Sequence, residues 1–296
     1  MPTLQSIRKK ISTAEELHSV VKMMKGLAAA SIRQFERAVT SLVDYSRSIE
    51  LGFQTLLAAE PERLSPADEG KKKPGRLGAV VFGSDQGMCG RFNQLIAEHA
   101  TAEIRKQDLS KDGLSILIVG GRIVPLLEME GLTVDRQVAP ATSLGGVTPL
   151  VQEVLGVIQG WREKEDFDRI VLCYNEARGG TTYGPRTHQL FPLDLDWLRE
   201  IQKRAWPTKR LPIHTVAWEE LFAAFIREHI YIALFRAAAE SLASENASRL
   251  ASMQAAERNI EERLDALSVR YRHSRQESIT EELLDIISGF EALSTD

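Results

Sequence analysis

Stepping alternately three and four residues from Leu4 visits Leu4, Ile7, Ile11, Ala14, His18, Val21, Lys25, Ala28, Ile32, Phe35, Val39, Leu42, Ser46, Ile49, Phe53 and Leu56. Thirteen of these sixteen positions are apolar, the exceptions being His18, Lys25 and Ser46. A seam that narrow belongs to a coiled coil, where a surface helix would carry a wider apolar stripe. No Pro interrupts the chain between Pro2 and Pro61, and the only Gly residues there are Gly26 and Gly52. The pattern predicts one helix over residues 1–59, about 80 Å long at 1.5 Å per residue. Gly26 inside it costs about 1 kcal/mol relative to Ala, which marks a flexible or closely packed point.

The other end repeats the pattern. After Pro212 there is no Pro, and between Gly184 and Gly289 there is no Gly. Leu250, Met253, Ile260, Leu264, Leu267 and Tyr271 keep heptad-like spacing, broken at Glu257, and Ile279, Leu283, Ile286 and Phe290 resume it one residue out of phase. A phase slip changes supercoiling without ending a helix. A helix from about Ile213 to Gly289 would extend on the order of 110 Å. Ala-rich stretches such as "LAAASI" and "RAAAESLASENASRLASMQAAE" permit close helix approach and equally a thin, smooth shaft.

Between the ends the period changes. "RLGAVVFG", "LSILIVGG", "LTVDRQVA", "DRIVLCYNEA" and "TTYGPRTHQLFPL" read as strands, with helical patterns at "NQLIAEHATAEIRKQ" and "TPLVQEVLGVIQGWREKE". Strands alternating with helices imply a largely parallel, doubly wound sheet. The expected fold is therefore α/β: a long antiparallel coiled coil formed by the N- and C-terminal helices, with an inserted doubly wound, Rossmann-like α/β domain. The expected divisions are an N-terminal shaft helix over 1–59, a connector over 60–76, the α/β domain over 77–212 and a C-terminal shaft helix over 213–296. The connector "EPERLSPADEGKKKPGR" is rich in Pro, Gly and charge, as solvated segments are.

Candidate chemistry centres on "VVFGSDQGMCGRFNQ", residues 80 to 94, an apolar run leading through Gly83, Gly87 and Gly90 into a helix start. Such a loop cradles phosphate when its N–H groups converge at a helix N-terminus and a Lys reaches the outer oxygens. Neither Gly-rich fingerprint fits, no Lys follows, and a plain strand-to-helix turn uses the same glycines. Cys89 is a nucleophile if a base lowers its pKa and otherwise a buried structural thiol; the nearest His in sequence is His99. The six His residues are scattered without metal-ligand spacing, and neither a G-x-S-x-G elbow nor a distinctive carboxylate pair occurs. His188, beside Arg186 and Thr187, is part of a polar site or an exposed strand residue. No cofactor and no metal is expected, and the catalytic set is empty.

Composition narrows the classes further. With 296 residues, 43% hydrophobic and 26% charged, the chain resembles ordinary water-exposed proteins. A net charge of -4 gives no pull toward nucleic acid or anionic membrane. The first helix is locally basic, with eight basic against five acidic residues over 1–50, but "IRKKI" lacks the interleaved aromatics of a nucleic-acid patch. Two Cys suggest a reducing compartment or little reliance on disulfides. The N-terminal stretch lacks a signal-peptide core, and Arg227 and Glu228 split the most apolar window, so no direct membrane insertion is expected.

With shaft and insert in place, the motifs resemble the gamma subunit of F-type ATP synthases, the central rotor stalk. "SENASRLASM" and "RQESITEELLDIISG" resemble that family's C-terminal signature in order and spacing. "LQSIRKKISTAEELHSVVKMMKGLAAASIRQ" is similar to its first shaft helix and "SDQGMCGRFN" to its S-D-[RK]-G-L-C-G-G-F-N segment. The resemblance implies a noncatalytic rotor that couples transmembrane ion flow to ATP synthesis or hydrolysis. Its partners would be the catalytic and noncatalytic ring subunits (beta and alpha), the epsilon subunit and the ion-driven c-ring in the membrane, at the cytoplasmic face of a bacterial inner membrane. By position in the motifs, Arg275, Gln276 and Thr280 match family residues that contact loops of the surrounding subunits. Arg249 matches a basic residue of the same contact region, and Met24 lies where the family approaches an acidic lever of the catalytic subunit. Gln86, Arg91, Lys25 and Gly26 depart from the family's pattern. The competing readings are a nucleotide-responsive α/β module on a coiled-coil arm and a static spacer.

Overall fold

The computed structural model describes residues 3–60, 75–107, 109–179, 182–207, 212 and 215–294. Of the expected connector, residues 61–74 lie outside the described residues, and Gly75 and Arg76 already belong to the first strand. The elements in chain order are α1 (Leu4–Ala59), β1 (Gly75–Phe82), α2 (Phe92–Arg105), β2 (Leu109–Val119), α3 (Val124–Met129), β3 (Arg136–Val138), α4 (Leu144–Lys164), β4 (Arg169–Ala177), β5 (Tyr183–Phe191), α5 (Leu195–Lys203) and α6 (Trp218–Ser294). All five expected strands form. The last helix begins at Trp218, a few residues beyond the expected start. The chain makes two compact units, residues 28–249 and residues 1–27 with 250–296.

In the unit formed by residues 28–249, the sheet order is β3-β2-β1-β4-β5. The first four strands are parallel, with Val80 of β1 paired to Leu117 and Leu172, and β5 runs antiparallel to β4 at the edge. Both faces are covered, as a largely parallel sheet requires. Leu77, Ala79, Val81, Ile116 and Ile118 pack beneath α2 and α3. Val80, Phe82, Leu117, Val119 and Leu172 pack against α4, against Ile230, Leu234 and Ala238 of α6, and against Phe35 of α1. Near-continuous apolar strands follow from this double covering. Gly78 completes the fit, because a Cβ there would lie 2.5 Å from the Trp161 ring.

The two long helices run antiparallel within this unit. Tyr45 donates its hydroxyl proton to Glu228 at 2.7 Å, and farther along α1 Phe53 meets Phe222 edge-on at 5.7 Å. Ile49, Phe53 and Leu57 form a third apolar cluster with Leu198 and Ile201 of α5 and Ile232 of α6. Asp194 caps α5 by accepting from the Asp196 and Trp197 amides, at 2.9 and 3.1 Å. The Ala-rich tract serves close approach: Ala237, Ala238, Ala239, Ala243 and Ala247 are all buried, and α6 is enclosed here on nearly every side.

The second unit is the paired start of α1 and end of α6, again antiparallel. His18 faces Glu261 at 3.4 Å and Lys25 faces Glu257 at 2.5 Å. Every seam position read from the sequence of α1, in both units, is buried or half-buried, including His18, Lys25 and Ser46. Gly26 has no atom within 4 Å of where a Cβ would stand, so it is an open point of the helix and not a closely packed one. On α6 the seam runs through Leu250, Met253, Glu257, Ile260, Leu264, Leu267 and Tyr271 and continues in phase through Ser274 and Ser278. The expected out-of-phase positions Ile279, Leu283 and Ile286 are instead 48%, 55% and 68% exposed; the Phe290 side chain lies outside the described residues. The reason is register: matching α1 to α6 residue for residue from His18 and Glu261 brings Leu4 opposite about residue 275, beyond which α6 has no facing turn.

Candidate functional site

The glycine-rich loop between β1 and α2 is held by its own chain. Asn93 accepts from the Ser84 amide at 3.0 Å and donates to its hydroxyl at 2.8 Å, which closes the loop on itself. Asp85 accepts from the Gly121 amide at 2.5 Å, tying it to the turn after β2. Gly120 makes that approach possible. At φ +96 it occupies a region L side chains rarely adopt, and a Cβ would lie 2.8 Å from the backbone of Gly83 and Ser84.

The outer side of the loop presents carbonyl oxygens to α6. Ser248 donates its hydroxyl proton to the Cys89 carbonyl at 2.5 Å, and Arg249 reaches the Gln86 and Gly87 carbonyls at 3.5 Å each. One turn earlier, Glu245 pairs with Arg249 at 2.5 Å, with both side chains under 10% exposed. Burial pushes the Glu245 carboxyl up, while its hydrogen bond and charge interaction with Arg249 oppose that shift. Ser244 donates to the Asn175 carbonyl at 2.9 Å, and Tyr183 donates its hydroxyl proton to the Ser248 oxygen at 2.9 Å. The strand ends and the loop are thus fastened along one buried polar face of α6.

That arrangement decides between the two sequence readings of the loop. A phosphate cradle needs converging amides, but the Ser84 and Gly121 amides are already bonded within the chain, and the Gln86, Gly87 and Cys89 carbonyls are taken up by α6. Cys89 is a buried thiol whose sulfur lies 3.6 Å from the Ser84 hydroxyl and the Gln86 carbonyl, and His99 is paired with Thr187 at 2.8 Å. Burial pushes the other thiol, Cys173, up to about 12. Neither cysteine has the environment of an activated nucleophile.

Beneath β5 lies a second polar group. His188 is half-buried, not exposed, and burial together with Arg186 and Arg236 lowers its pKa. His229, lodged between Trp197 at 4.5 Å and Phe53 at 6.3 Å, is lowered to about 4 by burial, His188 and Arg236. Glu240 is raised by burial and by Glu176, which itself pairs with Arg186.

Of the residues matched by resemblance, Arg249 belongs to the clamp just described. Arg275, Gln276 and Thr280 are brought together on exposed α6, where the Thr280 hydroxyl donates to the Gln276 carbonyl at 2.9 Å. Met24 is half-buried on α1, next to Lys25. His18, Glu257 and Glu261 place one ligand atom each within 4.8 Å of one another, but the Lys25 ammonium already neutralises Glu257 and lowers its pKa. Sequence reasoning did not find Ser244, Glu245 or Ser248. The signal available was polar residues on a helix otherwise rich in Ala, and no periodicity says which way such a helix is enclosed.

The family model described as ATP synthase matches residues 3–293. The chain is similar to the ATP synthase gamma chain of Trichlorobacter lovleyi, with 27% identity over 294 residues that cover 99% of each chain. Among solved structures it is similar to a chain of the Euglena gracilis mitochondrial ATP synthase rotor, with TM-score 0.60 and 17% identity, covering 93% of this chain and 98% of that one. It is also similar to a chain of the Tetrahymena thermophila mitochondrial central stalk and c-ring, with TM-score 0.56 and 20% identity, covering 80% and 99%.

Proposed function

The chain belongs to the ATP synthase family as a gamma chain, and from that premise we propose that it works as the noncatalytic central-stalk rotor of an F-type synthase. The observation that carries this reading is the full-length family match laid over two long antiparallel helices with an α/β insert. The paired helices turn inside the ring of catalytic and noncatalytic subunits. Each face of the asymmetric shaft favours a different open or closed state of the subunit it meets, so rotation couples to nucleotide exchange by differential contact. The α/β unit seats with the epsilon subunit on the membrane c-ring and holds the chain peripherally at the cytoplasmic face of a bacterial inner membrane. No described helix is long and apolar enough to cross a membrane.

Torque reaching the α/β unit passes to α6 through the clamp at Ser244, Glu245, Ser248 and Arg249. Buried hydrogen bonds suit that task because they resist slippage in a way a smooth apolar contact does not. Arg275, Gln276 and Thr280 are the contacts with the surrounding ring, with Met24 beside the acidic lever of a catalytic subunit. For Arg249 the partner contact is made from a guanidinium already held by Glu245 and the loop carbonyls. Arg suits such contacts because its planar fork holds a carboxylate bidentately.

Reconstitution of the full chain with the ring subunits of its source, followed by ATPase and single-molecule rotation assays, tests the reading. A complex that rotates, and loses torque in the Arg275→Ala, Gln276→Ala double variant, is the expected result. Failure of folded partners to assemble with the chain, or unchanged coupling in that variant, counts against the role or against those contacts respectively.

A further inference from the structure

Within the unit formed by residues 28–249, a cavity of about 510 Å³ opens between α1, α6 and the segment after α5. That volume falls in the range of small-molecule sites. Three guanidinium groups line it, from three different elements: Arg47 on α1, Arg204 just after α5 and Arg236 on α6. Its wall is constructed. Arg204 pairs with Glu50 at 2.6 Å, and the Gln54 side chain donates to the Arg204 carbonyl, so the segment after α5 is pinned to α1.

The charges in the cavity do not cancel. Glu50 neutralises Arg204, but neither Arg47 nor Arg236 makes an ion pair or hydrogen bond among the described residues. The Arg236 Nε is buried and has no hydrogen-bond partner, a costly condition for a charged group. Arg236 also borders a smaller cavity of about 80 Å³ lined by Arg186, His188 and His229. The positive potential there contributes to the lowered pKa values of both histidines, second to their burial. Glu240, one turn along α6, offsets Arg236 in part, and burial weakens that offset by raising the Glu240 pKa. Net positive charge from Arg47 and Arg236 therefore remains in a cavity of mixed walls, where Val43, Leu51 and Ile201 stand beside the polar groups.

We propose that this cavity binds an anion carrying one or two phosphate groups, held between Arg47 and Arg236 with Ser46 as a further donor. Guanidinium forks match phosphate oxygens in pairs, and the volume leaves room for an organic body beside the phosphate. Occupation ties α1, α6 and the segment after α5 together, which stiffens the base of the helix pair. A phosphorylated solute and a lipid headgroup offer the same chemistry.

Titration calorimetry of the full chain with inorganic pyrophosphate at fixed ionic strength tests the proposal. Saturable binding is expected, weakened at least tenfold in Arg236→Gln and in Arg47→Gln and unchanged in Arg105→Gln, whose exposed side chain pairs with Glu130. Arg47 is exposed on α1, so Arg47→Gln carries the test even where Arg236→Gln impairs folding. In a second arm, phosphatidylcholine vesicles with and without phosphatidic acid are sedimented with the chain. Binding that requires phosphatidic acid and is lost in Arg47→Gln assigns a lipid headgroup, whereas pyrophosphate binding without vesicle binding assigns a phosphorylated solute. The proposal is overturned by absence of binding in both arms, by equal binding in Arg47→Gln, or by sulfate binding as tightly as pyrophosphate. None of these outcomes depends on assembly with ring subunits, so the rotor reading stands or falls separately.

Discussion

Replacing Arg249 by Ala removes one side of an ion pair that lies almost wholly out of water, with side-chain exposures of 8% and 9% and a separation of 2.5 Å. Glu245 would then be left as a buried carboxylate without its cation. Breaking such a pair from one side costs about 3–5 kcal/mol, most of it the penalty of the stranded charge. The contacts from Arg249 to the Gln86 and Gly87 carbonyls are long, at 3.5 Å, so each adds under about 1 kcal/mol. The loss should concentrate where the clamp acts. Amide hydrogen exchange across residues 84–93, read beside urea unfolding of the full chain, reports it as faster local opening of the loop.

The sign of the pH dependence separates this account from simple loss of packing. Burial already raises the folded Glu245 pKa above its ordinary value of 4.5, and Arg249 opposes that rise. Without Arg249 the folded pKa climbs further. A raised carboxyl contributes stability that is fully present below the unfolded pKa and lost as pH rises through the folded one. The deficit of Arg249→Ala relative to wild type should therefore be largest at pH 7 and shrink as pH falls toward 4.5. The double variant Glu245→Gln, Arg249→Met, which strands no charge, should recover most of the lost stability. A deficit below about 1 kcal/mol at pH 7, or one that is the same at pH 5, refutes the reasoning.

Gly26→Ala should stabilise the chain by about 0.5–1 kcal/mol, because the site is helical, exposed and open, so Ala gains propensity without a clash; a fall in the urea midpoint would contradict this. Gly120→Ala should cost about 2 kcal/mol or more, since φ is +96 and the loop backbone lies 2.8 Å from the new Cβ; the same unfolding measurement decides it. His229, lowered to about 4 from an ordinary 6.5, contributes stability that is present above pH 6.5 and is lost as pH falls toward 4. That contribution reaches about 3 kcal/mol at most, and His229→Phe should flatten the acid limb of the stability profile; an unchanged limb would exclude this histidine as its cause.

The shaft was legible because coiled-coil order is written one turn at a time. Even His18, Lys25 and Ser46, which break the apolar run, lie on the buried side at the positions the spacing predicts. The failure at Ile279, Leu283 and Ile286 follows from the same logic. Periodicity shows that a helix has an apolar face, but only the register against α1 shows where a facing turn ends. The helix expected at "TPLVQEVLGVIQGWREKE" starts earlier than that pattern, because α4 begins at Leu144 and contains Pro149. The short helices α3 and α5 carry too few turns for a period to emerge.

The clamp was less legible because its parts are distant in sequence and ordinary in type. Gln86 accepts through its backbone carbonyl, so its side chain says nothing of the contact. Cys89 likewise meets Ser248 through its carbonyl, and its thiol is a packing partner of Ser84. Loop side chains therefore drew attention toward nucleotide and thiol chemistry while the loop acted through its main chain. The same division leaves the exposed side chains of Gln86 and Arg91 outside the contact with α6. What the fold demands there is the Gly120 approach, the Asn93 staple and carbonyls aimed at α6, and a change of side chain at an exposed loop position alters none of them.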